Sequence, residues 1–562
     1  MNRYVDAKLK WFLLPVFVFS LFTTASGQFR SPVSFPLRLS GSFGELRKNH
    51  FHTGVDIKKS SKYKQNKIFA VDSGYIYRIK VSADGYGKAL YIAHPNGITS
   101  VYAHMSKFNR ALEDTVKKMQ YANMTFELDP DTLHIPVAKG QFLGYMGNTG
   151  RSFGPHLHFE LRNTVTEHPV NPFAYHIKSK DNIPPVLSQV KLVALDTSFN
   201  VLNAKIYNLH KSKNSTYITV PSHIAYGAWR IGVEISGFDR MNGAYNKNGI
   251  YNIIMKVDGE EVFGFTMDSL DFDRMNEINA FIDYKEYKNK KKRFIRLYRL
   301  PGLDLDILHG NNRNGVIPLF KNKEHKVEII AGDYDGNKSY ATFYVKRATD
   351  IVESSPRLYN HLIKYNTAAL LQGDGYLIKI DKDALFKDMY LYIKKKENGE
   401  ISIFTNYEPF KKSIRLMVKV DTNISNAKKL CLVKLDNKKN IKLTTHIDNG
   451  YLTAGIKESG VFKPVFDTVP PVIKPMNFRY NLKNIPVIKF KISDNYASGG
   501  KAGKLKYRGF IDDNWVLFEY DKKKRILSHR FDNSMKRGKH ILKLVVEDDN
   551  GNVNIFEKPF LK

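Results

Sequence analysis

The sequence predicts a mostly β chain: an antiparallel β-sheet domain near the N-terminus, followed by several β-sandwich modules. Three observations carry this reading. Apolar and polar residues alternate through many short stretches, as in "KALYIAHPNGITSVYAHM" and "KSIRLMVKV", which is the period of a strand with one buried face. Turn chemistry punctuates those stretches, with Asp-Ser-Gly at 72–74, Pro-Asn-Gly at 95–97 and Asp-Gly at 258–259. A larger unit also recurs. Pro184-Pro185 opens a region that runs into "VEIIAGDYDGNKSYATFYV", and Pro470-Pro471 opens one that runs into "LKLVVEDDNGNVNIFEKPF". Each has an apolar strand, an acidic turn and a returning strand, with a hairpin signal midway at Asp258-Gly259 and Asp512-Asp513, which reads as an internal repeat of immunoglobulin-like modules.

At 562 residues the chain is too long for one core and fits three or four domains. Hydrophobic residues at 42% and aromatic residues at 13% exclude wholesale disorder. The start, "MNRYVDAKLK", is basic and is followed by the apolar run "WFLLPVFVFSLF" and the small, polar "TTASGQ". That run is short for a membrane span and fits a signal peptide over 1–27, cleaved after Gly27; an uncleaved anchor is the alternative. The protein is therefore expected to be exported, to the periplasm or cell envelope or beyond. Cys431 is the sole cysteine, which excludes an intrachain disulfide framework and a cysteine-rich zinc site. The net charge of +33 favours anionic partners. For an exported protein these are anionic envelope polymers or lipid headgroups rather than nucleic acid.

Domains are expected at 28–178, 179–349 (immunoglobulin-like), 350–466 (β-rich) and 467–562 (immunoglobulin-like). Within the first, "RALEDTVKKMQYAN" breaks the β pattern. Leu112, Val116 and Met119 recur at helical spacing, so a helical insertion is expected near 108–135. The acidic turns of the repeats invite calcium, but no full ligand set is visible in sequence and ordinary hairpin turns are the expectation. No segment from 177 onward presents a nucleophile, a phosphate loop or a metal cluster. The chemistry is expected in the first third.

There, "GPHLHFELR" sets His156, His158 and Glu160 on one face of a strand and Leu157, Phe159 and Leu161 on the other, a half-buried strand with a polar face. With 17 histidines in the chain, such a pair carries little weight alone. "ELRKNHFHTGVDIKK" adds His52 and Asp56, with Gly54 between them disfavouring a helix. His52, Asp56 and one histidine of the pair make a two-histidine, one-carboxylate set, the donor number of a catalytic zinc that keeps an open position. His104, in "SVYAHMS", is a candidate proton-transfer group, since the unperturbed pKa of histidine lies near neutrality.

Taken together, "GSFGELRKNHFHTGVDI", "VYAHMS" and "GQFLGYMGNTGRSFGPHLHFELR" resemble the lysostaphin/LytM-type zinc metallopeptidases in order and spacing, over about residues 40–175. The resemblance implies an antiparallel sheet of the duplicated hybrid motif type with a groove over Zn2+, and a peptidoglycan endopeptidase that cuts peptide cross-links or stems. Carried over by position, it makes His52, Asp56 and His158 the metal ligands and His104 and His156 the catalytic histidines. His50 is an extra histidine outside the motif, and His134, in the insertion, is expected at the surface. The alternatives are a non-catalytic wall-binding regulator with the same fold, and an envelope scaffold in which the sandwiches carry the main role.

Overall fold

The structure is a computed structural model that describes residues 29–178, 181–212, 215–351, 357–421, 426–498, 503–532 and 535–562. The leader expected over 1–27 lies outside the described residues. The N-terminal unit comprises β1 (Leu39–Gly41), β2 (Val55–Lys58), β3 (Lys67–Phe69), β4 (Gly74–Val81), β5 (Lys88–Ala93), β6 (Ile98–Met105), β7 (Lys107–Phe108), helix α1 (Arg110–Ala122), β8 (Ile135–Val137), β9 (Phe142–Tyr145), β10 (His156–Asn163) and β11 (Pro169–Val170). Eight strands form one sheet in the order β1-β2-β10-β6-β5-β4-β8, with β11 beside β10, and β3-β9-β7 form a second. Every pairing in the larger sheet is antiparallel.

Strand alternation explains which side chains make the core. Val55 and Ile57 of β2 and Leu157, Phe159 and Leu161 of β10 are all fully buried in one cluster with Leu90 and Tyr102. The opposite face of β10 departs from the half-buried strand the sequence suggests. His158, Glu160 and Arg162 are buried as well, because the loop at Tyr86 and Phe272 of the following module cover them. Gly54 is needed where β2 meets β10: a Cβ there would stand 2.2 Å from the Phe159 carbonyl oxygen.

The helical insertion is present. Asn109 caps α1 by accepting from Leu112 N at 3.0 Å, the side-chain capping that satisfies a first-turn donor. Leu112 and Val116 are buried as the spacing requires. The third inward position is shared by Met119, half-buried, and Gln120, which is buried because its amide donates to Phe126 O at 2.7 Å. Among the described residues no helix is long and apolar enough to cross a membrane.

The remaining chain is β-rich throughout. From Val186 to Arg347 the strands run in one continuous 11-stranded sheet that includes a parallel pair, Thr216–Tyr226 with Lys338–Arg347. Between His361 and Phe466 lie most of a seven-stranded sheet and all of a five-stranded one; the C-terminal unit pairs two four-stranded sheets. The seven-stranded sheet takes its last strand, Ala497–Ser498, from the C-terminal unit.

Neighbouring units interlock. Phe43 and Phe51 leave the N-terminal unit and are buried in the core of the next, where the Phe51 ring meets Phe281 at 5.6 Å. Met241 of that next unit is buried in the N-terminal core. Phe51 directly precedes His52, so the position of this histidine depends on packing across the junction. Phe51→Ala should cost about 3–5 kcal/mol, the usual range for emptying a buried aromatic site. Urea unfolding should show an earlier transition, and Phe153→Ala, at a fully exposed site, should show none.

Candidate metal centre and groove

The antiparallel pairing of β2 with β10 sets Asp56 directly opposite His158. Side chains opposite one another in such a pair lie on the same face, so the carboxylate and the imidazole converge. His52 arrives from the loop before β2, held by backbone bonds from His52 N to Glu45 O at 2.9 Å and from Gly44 N to His52 O at 2.8 Å. The result is a triangle: His52 Nε2 lies 3.0 Å from Asp56 Oδ1 and 3.0 Å from His158 Nδ1, and those two lie 3.0 Å apart.

Each of the three is oriented by a second contact on its far side. His52 Nδ1 donates to Ser42 O at 2.7 Å, and Arg47 donates to Asp56 Oδ2 at 2.9 Å. His158 Nε2 donates to Glu160 Oε1 at 2.7 Å. These contacts leave one nitrogen of each ring and one carboxylate oxygen turned to a common point. A divalent metal fits this donor set, with the outer carboxylate–histidine contact typical of metal sites.

His104 and His156 lie alongside. Their ring centroids are 4.9 Å apart, and His104 is 5.8 Å from His158. His156 Nε2 is 3.3 Å from Asp56 Oδ1, while its Nδ1 faces Gly154 O at 2.8 Å. His104 Nδ1 donates to Thr149 O at 2.9 Å. His104 has φ of +60°, a left-handed conformation that costs a non-glycine residue about 1–2 kcal/mol. It sits where the β5–β6 register slips between Lys88 and Leu90, and its N–H donates to Tyr86 O at 2.9 Å. Strain held by surrounding bonds is characteristic of positioned functional groups. His50 is exposed, with Nδ1 on Lys48 O, and His134 is exposed beside Tyr75; neither joins the cluster.

The electrostatics follow from burial set against pairing. Burial pushes His104 down to about 3, helped by His158 and His156, so the ring is neutral near pH 7. Burial also opposes charge on His158, but bonds to Asp56 and Glu160 outweigh it and hold the ring at about 9. Those two carboxylates favour any cation at this nitrogen, proton or metal. Asp56 stays well below its usual range despite burial, because His52 and the hydrogen bonds from His156 and His158 favour its charge.

The sequence left several contributors unassigned. Glu160 is fully buried and receives Tyr86 at 2.6 Å, Arg162 at 2.6 and 2.8 Å, and Thr53. Its signal was the alternation of His156, His158, Glu160 and Arg162 on one strand face; Tyr86, on a loop, had none. The C-terminal unit also reaches the groove rim. Lys523 donates to Asn148 O at 2.5 Å and Ser152 O at 3.1 Å, and Lys522 pairs with Asp84 at 2.7 Å. Glu160→Gln keeps the shape but weakens the hold on His158. It should lower metal affinity about 10–100-fold, the usual effect of losing an outer-shell partner, by competition with a chromogenic chelator and with an unchanged circular dichroism spectrum.

Residues 50–125 and 132–172 match Peptidase family M23, and residues 360–467 match the Zu5-like domain. The DD-carboxypeptidase/endopeptidase Mpg of Neisseria meningitidis serogroup B is 31% identical over 140 residues, which are 24% of this chain and 26% of that protein. The peptidoglycan DD-endopeptidase ShyA of Vibrio cholerae is 35% identical over 98 residues, 17% of each. The chain thus spans about a quarter or less of the length of these relatives. The catalytic domain of the antimicrobial peptidase lysostaphin from Staphylococcus simulans is 23% identical, covering 25% of this chain and 91% of that one with a TM-score of 0.19. The N-terminal unit of this chain is a Peptidase M23 domain.

Proposed function

We propose that the chain is an exported zinc-dependent endopeptidase that hydrolyses peptide cross-links or stems of peptidoglycan. The observation that carries this reading is the convergence of His52 Nε2, Asp56 Oδ1 and His158 Nδ1, at 3.0 Å from one another, with His104 and His156 beside them. The peptidoglycan peptidases among its relatives support the substrate class, and the net charge of +33 suits an anionic envelope.

In this reading His52, Asp56 and His158 hold zinc, which when bound supplies a Lewis acid for the scissile carbonyl and for water. The other residues do the proton work. His104, neutral and with Nδ1–H committed to Thr149 O, presents Nε2 as the acceptor for a proton from the attacking water. His156 has acceptors at both nitrogens, Gly154 O and Asp56 Oδ1. That setting favours an N–H donor that stabilises negative charge on the carbonyl oxygen, while the proton His104 took from water passes from it to the leaving amine. The C-terminal unit, through Lys522 and Lys523, touches the loops at Asp84 and at Asn148 and Ser152, the second of which leads into the strand of His156.

Purified peptidoglycan incubated with the zinc-loaded chain should lose cross-linked muropeptides, with one water added per cut by mass spectrometry. Intact cross-links and stems with zinc bound would instead favour a non-catalytic wall-binding role. The histidines should separate by role. His158→Ala should lose both zinc and cleavage. His104→Ala and His156→Ala should keep zinc, by metal analysis of the purified proteins, and lose about 10²–10⁴ in kcat, the range for general acid–base groups.

A further inference from the structure

A second group of buried carboxylates lies at the junction between the M23 domain and the unit after it. Asp181 follows the last helical turn of the domain, Asp239 follows the strand Arg230–Phe238, and Asp333 opens the turn after Glu324–Gly332. All three are buried, and one oxygen from each lies within 4.8 Å of the others. Among the described residues no lysine or arginine pairs with any of them. Asp239 is 5% exposed, and its Oδ1 has no hydrogen-bond partner.

A separate observation points to a ligand at this place. Asn248 stands opposite Asp239 in an antiparallel bridge, exchanging backbone bonds of 3.0 and 2.9 Å. Its side chain is therefore on the same face as the Asp239 carboxylate. Asn248 is 3% exposed, yet both its amide oxygen and its amide nitrogen lack partners. Buried polar groups are nearly always paired, and an unpaired amide oxygen on the same face as the Asp239 carboxylate is a group that an oxygen-seeking cation would satisfy.

The C-terminal unit repeats the arrangement. "DNIPP" at 181–185 corresponds to "DTVPP" at 467–471, and "DYDGN" at 333–337 to "DDNGN" at 548–552; Asp239 and Asp494 each directly follow a strand. The wiring matches too. Asn337 donates to Asp333 Oδ2 at 2.7 Å and to Asp181 O at 3.4 Å, and Asn552 donates to Asp548 Oδ2 at 2.7 Å and to Asp467 O at 2.8 Å. One difference is informative. In the C-terminal copy the buried Lys442 ammonium pairs with Asp467 at 2.8 Å and Asp549 at 2.5 Å, so the protein supplies a cation of its own. In the first copy Lys178 pairs with Asp335 of the turn, and among the described residues no lysine pairs with Asp181, Asp239 or Asp333.

We propose that Asp181, Asp239 and Asp333, with the Asn248 amide oxygen, bind a calcium ion that fastens the M23 domain to the unit following it. An all-oxygen set with three carboxylates in an irregular frame suits calcium, which accepts six to eight such ligands; magnesium demands a near-ideal octahedron and keeps its waters. The segments it would join are those that lock the junction. Met241, two residues past Asp239, is buried in the M23 core, and Tyr334, next to Asp333, packs on Phe173 of that domain at 5.5 Å. Gly249, next to Asn248, donates to Ser42 Oγ at 3.0 Å. Consistent with this, burial and the neighbouring Asp333 raise Asp239 to about 8, and burial also raises Asp181 and Asp333.

The test is calorimetric titration of the full, zinc-loaded chain with calcium chloride, paired with thermal unfolding with and without calcium. The wild type should bind calcium saturably and gain thermal stability; magnesium chloride at the same concentration should do neither. Asp239→Asn should weaken calcium binding about tenfold or more and lose the calcium-dependent gain. It should also melt higher than the wild type when both are calcium-free at a pH above about 8, where the Asp239 carboxyl is ionised, because there it removes one of three crowded charges. A purely structural hydrogen-bonding role would make that variant less stable in both conditions. Asp494→Asn should leave calcium binding unchanged. No saturable binding by the wild type, wild-type affinity in Asp239→Asn, or loss of binding in Asp494→Asn would each overturn the proposal.

Discussion

The register of β2 on β10 is the contact on which the site depends. With Asp56 opposite His158, Val55 opposite Phe159 and Ile57 opposite Leu157, one pairing places apolar residues in the core and donors in the groove. Because the side-chain period of a strand is two, a one-residue slip would send Asp56 into the core and the valine and isoleucine into the groove. The apolar face therefore enforces the polar one: burying Val55, Ile57, Leu157 and Phe159 fixes where the carboxylate and imidazole meet. Gly54 permits that close approach, and Phe51, anchored in the following unit, fixes the loop that delivers His52.

Such a site is costly to assemble. Asp56, His158, Glu160 and Arg162 are all buried, and a buried charge is tolerated only when paired. The pairing here runs in a chain. Arg162 holds Glu160, Glu160 holds His158, and Asp56 is held from outside by Arg47. Each link occupies the atoms turned away from the groove, so the remaining donor atoms have no alternative direction. The same logic explains the strained backbone of His104, whose conformation is held by the bonds it donates to Tyr86 O and Thr149 O rather than by its own preference.

Much of this was legible in the sequence because it was written in alternation and spacing. The mostly β class, the helix at 110–122 and the hairpin turns at 258–259 and 512–513 all followed from local patterns. So did the shared face of His156 and His158. The meeting of His52 with that strand was not local, and it became readable only through the joint resemblance of three separated motifs. What stayed hidden depended on contacts between distant segments. Tyr86 and Thr53 reach Glu160 from loops with no pattern of their own. Phe272 closes over Arg162 from another unit, which is why β10 is buried on both faces. The carboxylates that gather with the acidic turns, Asp181 and Asp239 at the first and Asp467 and Asp494 at the second, come from segments far from them in sequence.

The units beyond the M23 domain are part of the same construction rather than appendages. They share core residues with it across the first junction, and the C-terminal unit returns to the groove rim through Lys522 and Lys523. The central claim concerns what the groove holds, and anomalous diffraction at the zinc edge from crystals of the zinc-loaded chain tests it most directly. One strong peak is expected, bonded to His52 Nε2, Asp56 Oδ1 and His158 Nδ1, with a remaining position open to solvent and His104 and His156 unbonded. A peak ligated by His104 or His156, or closed by a fourth protein ligand, would contradict it.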